Sequence, residues 1–193
     1  MTCRLSWTCY AGLVFCGVLV LSGCPAADTP GSSVGVAEAK VDSIQKEVNE
    51  EGVYVCITPS NNDTVVARLL DLINRERAKY DLAPVTLNPI LCRIAEDFCC
   101  AMIEGGFFPQ DHINPLTYEG PYDRASAGGY LFLAIGENLA AAQTTPDEAM
   151  RDWMWSPRHR DIILGAQWTE VGIGVRTGGE YGVYWVLEFG NPP

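Results

Sequence analysis

Two apolar runs near the C-terminal end of the chain alternate with a period of two residues. They cover 171–175 and 183–189 and flank the sequence Thr177-Gly-Gly-Glu180. Alternation on both sides of a short glycine-containing turn predicts an antiparallel hairpin. The segments before it follow helical spacing, so helices come first and strands last. This order favours an α+β fold.

Four helices are predicted before the hairpin, at 62–80, 89–105, 121–127 and 146–155. Asn62 or Asp63 is expected to cap the first helix, because a short polar side chain accepts hydrogen bonds from the free N–H groups of a first turn. Asn88 is the expected cap of the second, and Thr145 with Glu148 forms a capping box for the fourth. A chain of 193 residues has enough material for one domain with a sizeable core.

Residues 1–23 are predicted to be a lipoprotein signal peptide rather than part of the fold. The apolar run from Ala11 to Leu21 is shorter than the roughly 20 residues that a membrane-spanning helix needs. It ends in Leu21-Ser22-Gly23-Cys24, which resembles a bacterial lipobox, so Cys24 is expected to be lipidated and to begin the mature chain. The alternative is an ordinary secretory signal with an incidental cysteine. In both cases the chain leaves the cytoplasm.

Residues 24–60 are predicted to comprise the lipid anchor, a flexible tether and a short N-terminal extension. The tether, 25–35, is rich in Pro, Gly, Ser and Ala. The charged stretch 36–51 predicts a short amphipathic helix, and Val53–Ile57 predicts a strand. The compact domain is expected to span 61–193. Acyl chains on Cys24 would hold it on the cell membrane or the outer membrane without spanning either.

Four cysteines remain once the signal peptide is removed and Cys24 is lipidated, namely Cys56, Cys92, Cys99 and Cys100. An even number in an oxidising compartment allows two bridges and three connectivities. Cys92 and Cys99 lie about 10 Å apart along a helix, beyond the reach of a disulfide. A bridge from Cys56 to one of the helical cysteines is favoured, with the exact pairing open. Zinc binding by these cysteines is disfavoured because no C-x-x-C pair is present.

The charge balance disfavours one class of partner. Thirteen Lys and Arg against 24 Asp and Glu give a net charge of −11. Binding to a nucleic-acid backbone needs a basic face, so nucleic acid is not an expected partner. Nothing in the sequence predicts an oligomer, and a monomer is expected.

The two histidines of the chain, His112 and His159, lie in predicted loops, and Gly136-Glu137-Asn138 falls between them. Two imidazoles and a carboxylate suit a divalent metal if folding brings them together. The simpler interpretation makes each histidine a structural hydrogen-bonding group. Arg158 and Arg160 flank His159 and would disfavour its protonation if they approach it; otherwise they are solvated or paired charges.

Three common motifs of catalytic, metal-binding and phosphate-binding sites are missing from the sequence. It contains no G-x-S-x-G elbow, H-E-x-x-H motif or phosphate-binding loop. Ser156 with His159 suggests a nucleophile and base, but Ser156-Pro157 is more simply the turn at a helix end. Trp153, Trp155 and Trp168 could line a groove, although large aromatic residues are more often part of a core.

Taken together, a series of short motifs resembles the bacterial branch of the CAP superfamily, which includes cysteine-rich secretory proteins, venom allergens and pathogenesis-related proteins. The resemblance covers about residues 64–190. The motifs, in chain order, are His112, Pro121-Tyr122-Asp123-Arg124, Gly129-Tyr130, Gly136-Glu137-Asn138-Leu139-Ala140, Trp153-Met154, Ser156-Pro157, His159-Arg160, Val171–Val175, Tyr184-Trp185 and Phe189-Gly190.

This resemblance implies an α-β-α sandwich with a central antiparallel sheet between helical layers. It also implies that His112, Glu137 and His159 meet in one solvent-filled cleft. Many members complete a His/Glu tetrad with a second glutamate, whose position here is Ser156. The remaining three ligands are compatible with zinc or a more weakly held divalent ion.

The functions implied by the family are diverse, and fold does not choose among them. The favoured interpretation is a non-enzymatic, extracytoplasmic binding module for a divalent metal or for a lipid, sterol or cell-envelope ligand. The alternative is a metal-assisted, peptidase-like hydrolase in which His112 and His159 hold zinc and Glu137 accepts a proton. A structural envelope protein with a vestigial cleft is a third possibility.

Overall fold

The computed structural model describes residues 39–42 and 44–193. The predicted signal peptide, Cys24 and the tether lie outside the described residues. In the described part of the chain, no helix combines the length and the apolar character needed to cross a bilayer.

Within the described residues, the domain contains five helices and four strands. The helices are α1 Asn62–Ala78, α2 Pro89–Gly105, α3 Pro121–Ala127, α4 Pro146–Trp155 and α5 Pro157–Ile163. The strands are β1 Thr86–Leu87, β2 Ala134–Ala141, β3 Glu170–Gly178 and β4 Gly182–Asn191. The four predicted helices and the hairpin of β3 and β4 are confirmed. The sequence predicted neither α5 nor the strands β1 and β2.

Helix starts follow the expected chemistry in two of three cases. The Asn88 side chain accepts hydrogen bonds from Ile90 N and Leu91 N, and Thr145 and Glu148 form the predicted capping box. The predicted cap of α1 is wrong. Its N-cap is Asn61, and that side chain makes no capping hydrogen bond.

The sheet has the order β1-β3-β4-β2. Strands β3 and β2 each pair with β4 in antiparallel fashion, as expected. Strand β1 is a correction to an all-antiparallel sheet, because Thr86 and Leu87 run parallel to Glu170 and Val171. At two residues, β1 is too short to show any alternation in the sequence.

Helices cover both faces of this sheet, which confirms the α-β-α sandwich. Alternate side chains of β3 and β4 point to opposite faces. One face packs against α1, α4 and α5, and the other packs against α2. The first core includes Leu69, Ile73, Trp153, Ile163, Val175, Trp185 and Leu187, and the second includes Ala95, Phe98, Met102, Leu139, Tyr184 and Val186.

Two glycines of β3 allow α2 to lie directly on the sheet. A Cβ atom at Gly172 would stand 2.1 Å from the carbonyl carbon of Leu91, and one at Gly174 would stand 2.4 Å from that of Ala95. No larger residue fits at either position without moving the helix. The close packing of α2 on the hairpin therefore depends on glycine at these two positions of β3.

The N-terminal extension differs from its prediction. Residues 39–42 and 44–51 form no helix, and the stretch 53–57 forms only isolated bridges rather than a strand. Apolar residues are too sparse here, since Val41 is buried whereas Val48 is 54% exposed. Val41 N donates to Thr144 O, so the boundary predicted near Asn61 separates stretches that are in contact.

A disulfide joins Cys56 to Cys100 on α2, which confirms a bridge from Cys56 to a helical cysteine. Cys92 and Cys99 are free thiols. Burial raises the pKa of the Cys99 thiol, so this thiol is unreactive at neutral pH.

Candidate functional site

His112 and Glu137 contact each other directly. His112 lies in the loop between α2 and α3, and its Nδ1 is 2.8 Å from Oε1 of Glu137 on β2. The Glu137 side chain is fully buried, whereas 24% of the His112 side chain is exposed. His112 has a φ of 63°, a left-handed conformation that is uncommon for a residue with a side chain. Such local strain is found most often at functional sites.

Arg124 on α3 occupies the other oxygen of Glu137. Its Nη2 donates to Glu137 Oε2 at 2.5 Å, and only 9% of its side chain is exposed. The guanidinium also stacks over the Phe98 ring, with Cζ 3.5 Å from the ring centroid. Its Nη1 donates to Glu119 O at 2.8 Å. Arg124 therefore holds the buried carboxylate in place and neutralises it.

A second buried glutamate lies beside this group. Glu188 on β4 is the register partner of Glu137, and it is completely buried. Neither of its carboxyl oxygens accepts a hydrogen bond from the described residues. Burial, and then the neighbouring Glu137 charge, raise the pKa of Glu188 well above its ordinary value. A protonated Glu188 can donate a hydrogen bond to Glu137.

The pKa of Glu137 is shifted in the opposite direction. Burial opposes ionisation of this carboxyl group. Hydrogen bonds with His112 and Glu188, together with the Arg124 charge, outweigh burial and hold the pKa of Glu137 below its ordinary value. Within the pair, Glu137 thus favours the carboxylate and Glu188 favours the carboxylic acid.

His159 on α5 lies near this cluster without joining it through a hydrogen bond in the described structure. Its backbone oxygen accepts from Asn138 Nδ2 at 2.9 Å. Burial, followed by the proximity of His112 and Arg158, lowers the pKa of His159. Of the two arginines that flank His159 in the sequence, Arg158 contributes to this lowering.

An open cleft of about 450 Å³ lies over the His112–Glu137 pair. Helix α3 contributes Pro121 and Tyr122 to its walls, and α5 contributes Arg158 and Ile162. The full lining is His112, Pro121, Tyr122, Ala134, Ile135, Gly136, Glu137, Arg158, Ile162, Gln167 and Trp168. The walls are mainly apolar, as is usual for small-molecule sites.

The expected three-residue metal site is only partly assembled by direct contacts. Within residues 39–42 and 44–193, no three His, Cys, Asp or Glu side chains are grouped so that they could hold a metal ion. Glu137 already uses one oxygen for His112 and the other for Arg124. His112 and Glu137 are thus joined by a direct contact, whereas His159 is not among the residues that line the cleft.

The neighbouring candidates have structural roles. Ser156 lies between α4 and α5 and forms the turn at the helix end, as the simpler interpretation predicted. Glu148 Oε2 accepts from Thr145 N at 3.2 Å in the capping box and also from Thr144 N at 2.8 Å. Trp153 and Trp168 are buried, and Trp168 also lines the cleft, whereas Trp155 is 89% exposed.

Comparison with known proteins identifies the family. The model of the cysteine-rich secretory protein family, CAP, matches residues 70–189. The chain belongs to the CAP family. Its site residues His112, Glu137 and His159 all fall within the matched range, as do Arg124 and Glu188.

The chain is also similar to individual proteins of known sequence or structure. The chain is 33% identical to the uncharacterized protein YkwD of Bacillus subtilis over 131 residues, which is 68% of this chain and 49% of YkwD. An outer surface protein of Borrelia burgdorferi is 18% identical with a TM-score of 0.62, over 67% of this chain and 94% of that one. An extracellular protein of Bacillus anthracis containing an SCP domain is 23% identical with a TM-score of 0.59, over 76% of this chain and 45% of that one. The two structures support the CAP fold, and the chain spans about half the length of YkwD.

The roles of Arg124 and Glu188 were not predicted from the sequence. Arg124 was visible only as part of a family motif. Glu188 did carry a signal, since it is an acid within the alternating apolar run of β4 and such a residue is costly to bury without a partner. That Glu137 is the neighbour of Glu188 could be predicted only with knowledge of the register between β2 and β4.

Proposed function

We propose that this CAP domain is an extracytoplasmic binding module whose cleft holds a ligand without chemically changing it. The observation that carries the proposal is the state of Glu137. Both its oxygens are bound, and its pKa lies below the ordinary value. A general base works best with a pKa near the operating pH, so Glu137 is poorly suited to the hydrolase alternative. It is well suited to orienting His112.

Metal binding in the cleft is a second part of the proposal. The lowered pKa of His159 favours the neutral imidazole that a metal requires. The bond between His112 Nδ1 and Glu137 leaves Nε2 free and resembles the carboxylate support usual behind a histidine ligand. A bound divalent ion such as zinc would supply a positive centre for a ligand group. His112 and His159 are its proposed ligands, with water completing the coordination.

Zinc titration of the purified protein tests this site. Zinc content and affinity should fall at least tenfold in both His112→Ala and His159→Ala, because two-ligand sites lose most of their affinity with either ligand. Cys92→Ser is the control, since it removes a free thiol that does not line the cleft. Equal zinc affinity in all four proteins would refute the metal proposal.

Anchoring at a membrane surface completes the proposal. The relatives include an outer surface protein and an extracellular protein, which supports a location outside the cytoplasm. Lipidation at Cys24 would attach the domain there, on the cell membrane or the outer membrane. Cys24→Ser should move the protein from the membrane fraction to the soluble fraction. Unchanged partitioning would contradict lipidation at this residue.

A further inference from the structure

Arg158 is a cation at the cleft of an acidic chain. The net charge is −11, and several arginines of the domain pair with nearby acids, among them Arg68, Arg124 and Arg176. Arg158 is exposed and forms no ion pair with any described residue, including Asp161 one turn along α5. It nevertheless lines the cleft.

The charge of Arg158 is uncompensated within that cleft. Glu137 is the one acid among the lining residues, and Arg124 and His112 already bind both of its oxygens. A cation beside apolar walls focuses its field into the cleft and raises the local concentration of anions.

We propose that the cleft selects an anionic ligand, with a carboxylate or phosphate group bound by Arg158 and an apolar ring or chain against the walls. This inference rests on the proposed binding function and names its ligand class. The guanidinium matches both anions through paired hydrogen bonds. The apolar part of the ligand would contact Tyr122, Ile162 and Trp168, which lie around the same space.

The cleft offers a spectroscopic reporter for this test. Trp168 lines it, and the indole N–H of Trp168 donates to Ile162 O at 2.7 Å. Trp155 is 89% exposed and is not part of the lining. Nuclear magnetic resonance shifts of the Trp168 indole therefore report binding in the cleft, and the Trp155 signal is the internal control.

Phenyl phosphate and benzoate are suitable anionic probes, and benzyl alcohol is a neutral probe of similar size. The titrations use metal-free protein, so that a bound ion cannot contribute. The anions should shift the Trp168 signal and bind more tightly than the alcohol. Arg158→Gln should weaken anion binding roughly 10-fold or more, since hydrogen bonds to charged groups contribute about 1.5–3 kcal/mol. Benzyl alcohol binding should not change, and Arg158→Lys should restore part of the loss.

Arg93→Gln is the matched control. Arg93 also has no acidic partner among the described residues, but it lines a separate groove between α2 and α3. This variant should bind phenyl phosphate as the unmodified protein does. Equal losses in Arg93→Gln and Arg158→Gln would indicate a general charge effect and overturn the inference.

A vesicle-binding measurement distinguishes a lipid headgroup from a soluble anion as the ligand. Stronger binding to phosphatidylglycerol vesicles than to phosphatidylcholine vesicles, lost in Arg158→Gln, would identify a lipid headgroup. Binding of phenyl phosphate without vesicle binding would identify a soluble ligand. No Trp168 shift with either anion, or equal affinity for anion and alcohol, would overturn the inference. The zinc measurement then decides the proposed function separately.

Discussion

Arg77 on α1 and Glu188 on β4 are both completely buried, but their surroundings differ. Arg77 donates hydrogen bonds to the backbone oxygens of Ala83, Ile163, Gly165 and Trp168. Glu188 receives none from the described residues. The Arg77 guanidinium is hydrogen-bonded to backbone oxygens, and these bonds connect α1 to α5 and to the loop that follows α5. Glu188 remains neutral and borders the candidate site.

This difference distinguishes a residue that is buried to stabilise the fold from a residue that is buried beside a functional site. A buried polar group that is fully hydrogen-bonded adds stability and specificity. A buried group whose oxygens accept no hydrogen bond costs stability, and such a group calls for an explanation such as a catalytic or binding role. The two residues should therefore respond to substitution in opposite directions.

The largest effect is expected at Arg77. Replacement by Met, Arg77→Met, keeps much of the side-chain volume but leaves the four backbone oxygens without their donor. We expect the free energy of unfolding to fall by about 3–5 kcal/mol, as for other broken buried networks. Urea denaturation measures this change.

Arg75→Met is the control for Arg77. Arg75 lies on the same helix, but 60% of its side chain is exposed, and it pairs with Asp71 at the surface. Its loss should cost less than about 1 kcal/mol. If both variants lose the same stability, the network around Arg77 is not what stabilises the fold.

Glu188 should give a smaller effect of the opposite sign. Glu188→Gln keeps the shape of the protonated group and can still donate to Glu137. We expect it to stabilise the protein at pH 7 by roughly 1–3 kcal/mol, because folding then no longer requires the proton uptake that keeps Glu188 neutral. Thermal or urea unfolding measures the difference.

The pH dependence gives the sign of the Glu188 effect independently. The unfolded chain releases this proton near pH 4.5, and the folded chain retains it to a higher pH. Folded protein thus binds more protons above pH 4.5, so stability is lost as the pH rises. The advantage of Glu188→Gln should vanish at pH 4. An exposed control, Glu104→Gln, should change stability little at either pH. A Glu188→Gln protein less stable than the parent at pH 7 would contradict this account.

The fold was predictable where local chemistry decides it. Asn88 and Thr145 mark helix starts because their side chains cap the first turn, and the alternation of β4 marks a strand. Strand β2 lacks such a pattern, since Gly136, Glu137 and Asn138 have low strand propensity. Its position comes from pairing with β4, which is a long-range contact. The extension before Asn61 lacked enough apolar residues to indicate its path.

The candidate site was predictable only as a set of residues. The family resemblance supplied His112, Glu137 and His159, but not their partners. The contact between His112 and Glu137 depends on a loop and a strand 25 residues apart. Pairing of Glu137 with Glu188 depends on sheet register. A joint role for His159 stays a prediction, because only proximity links it to His112.

The smallest change in stability is expected from the loss of an ion pair that is partly exposed to water. Arg68 on α1 and Asp147 on α4 form an ion pair at 2.5 Å, with 14% and 31% of their side chains exposed. The hydrogen bond from Arg68 is the main reason that the pKa of Asp147 lies below its ordinary value of 3.8. Its contribution is therefore present above pH 3.8 and lost as the pH falls through the folded pKa. Asp147→Asn should cost about 0.5–1 kcal/mol at pH 7 and 50 mM salt, less at 1 M salt. The cost should disappear once the pH lies below the folded pKa of Asp147. A cost as large as that of Arg77→Met would show that access to water does not separate the two sites.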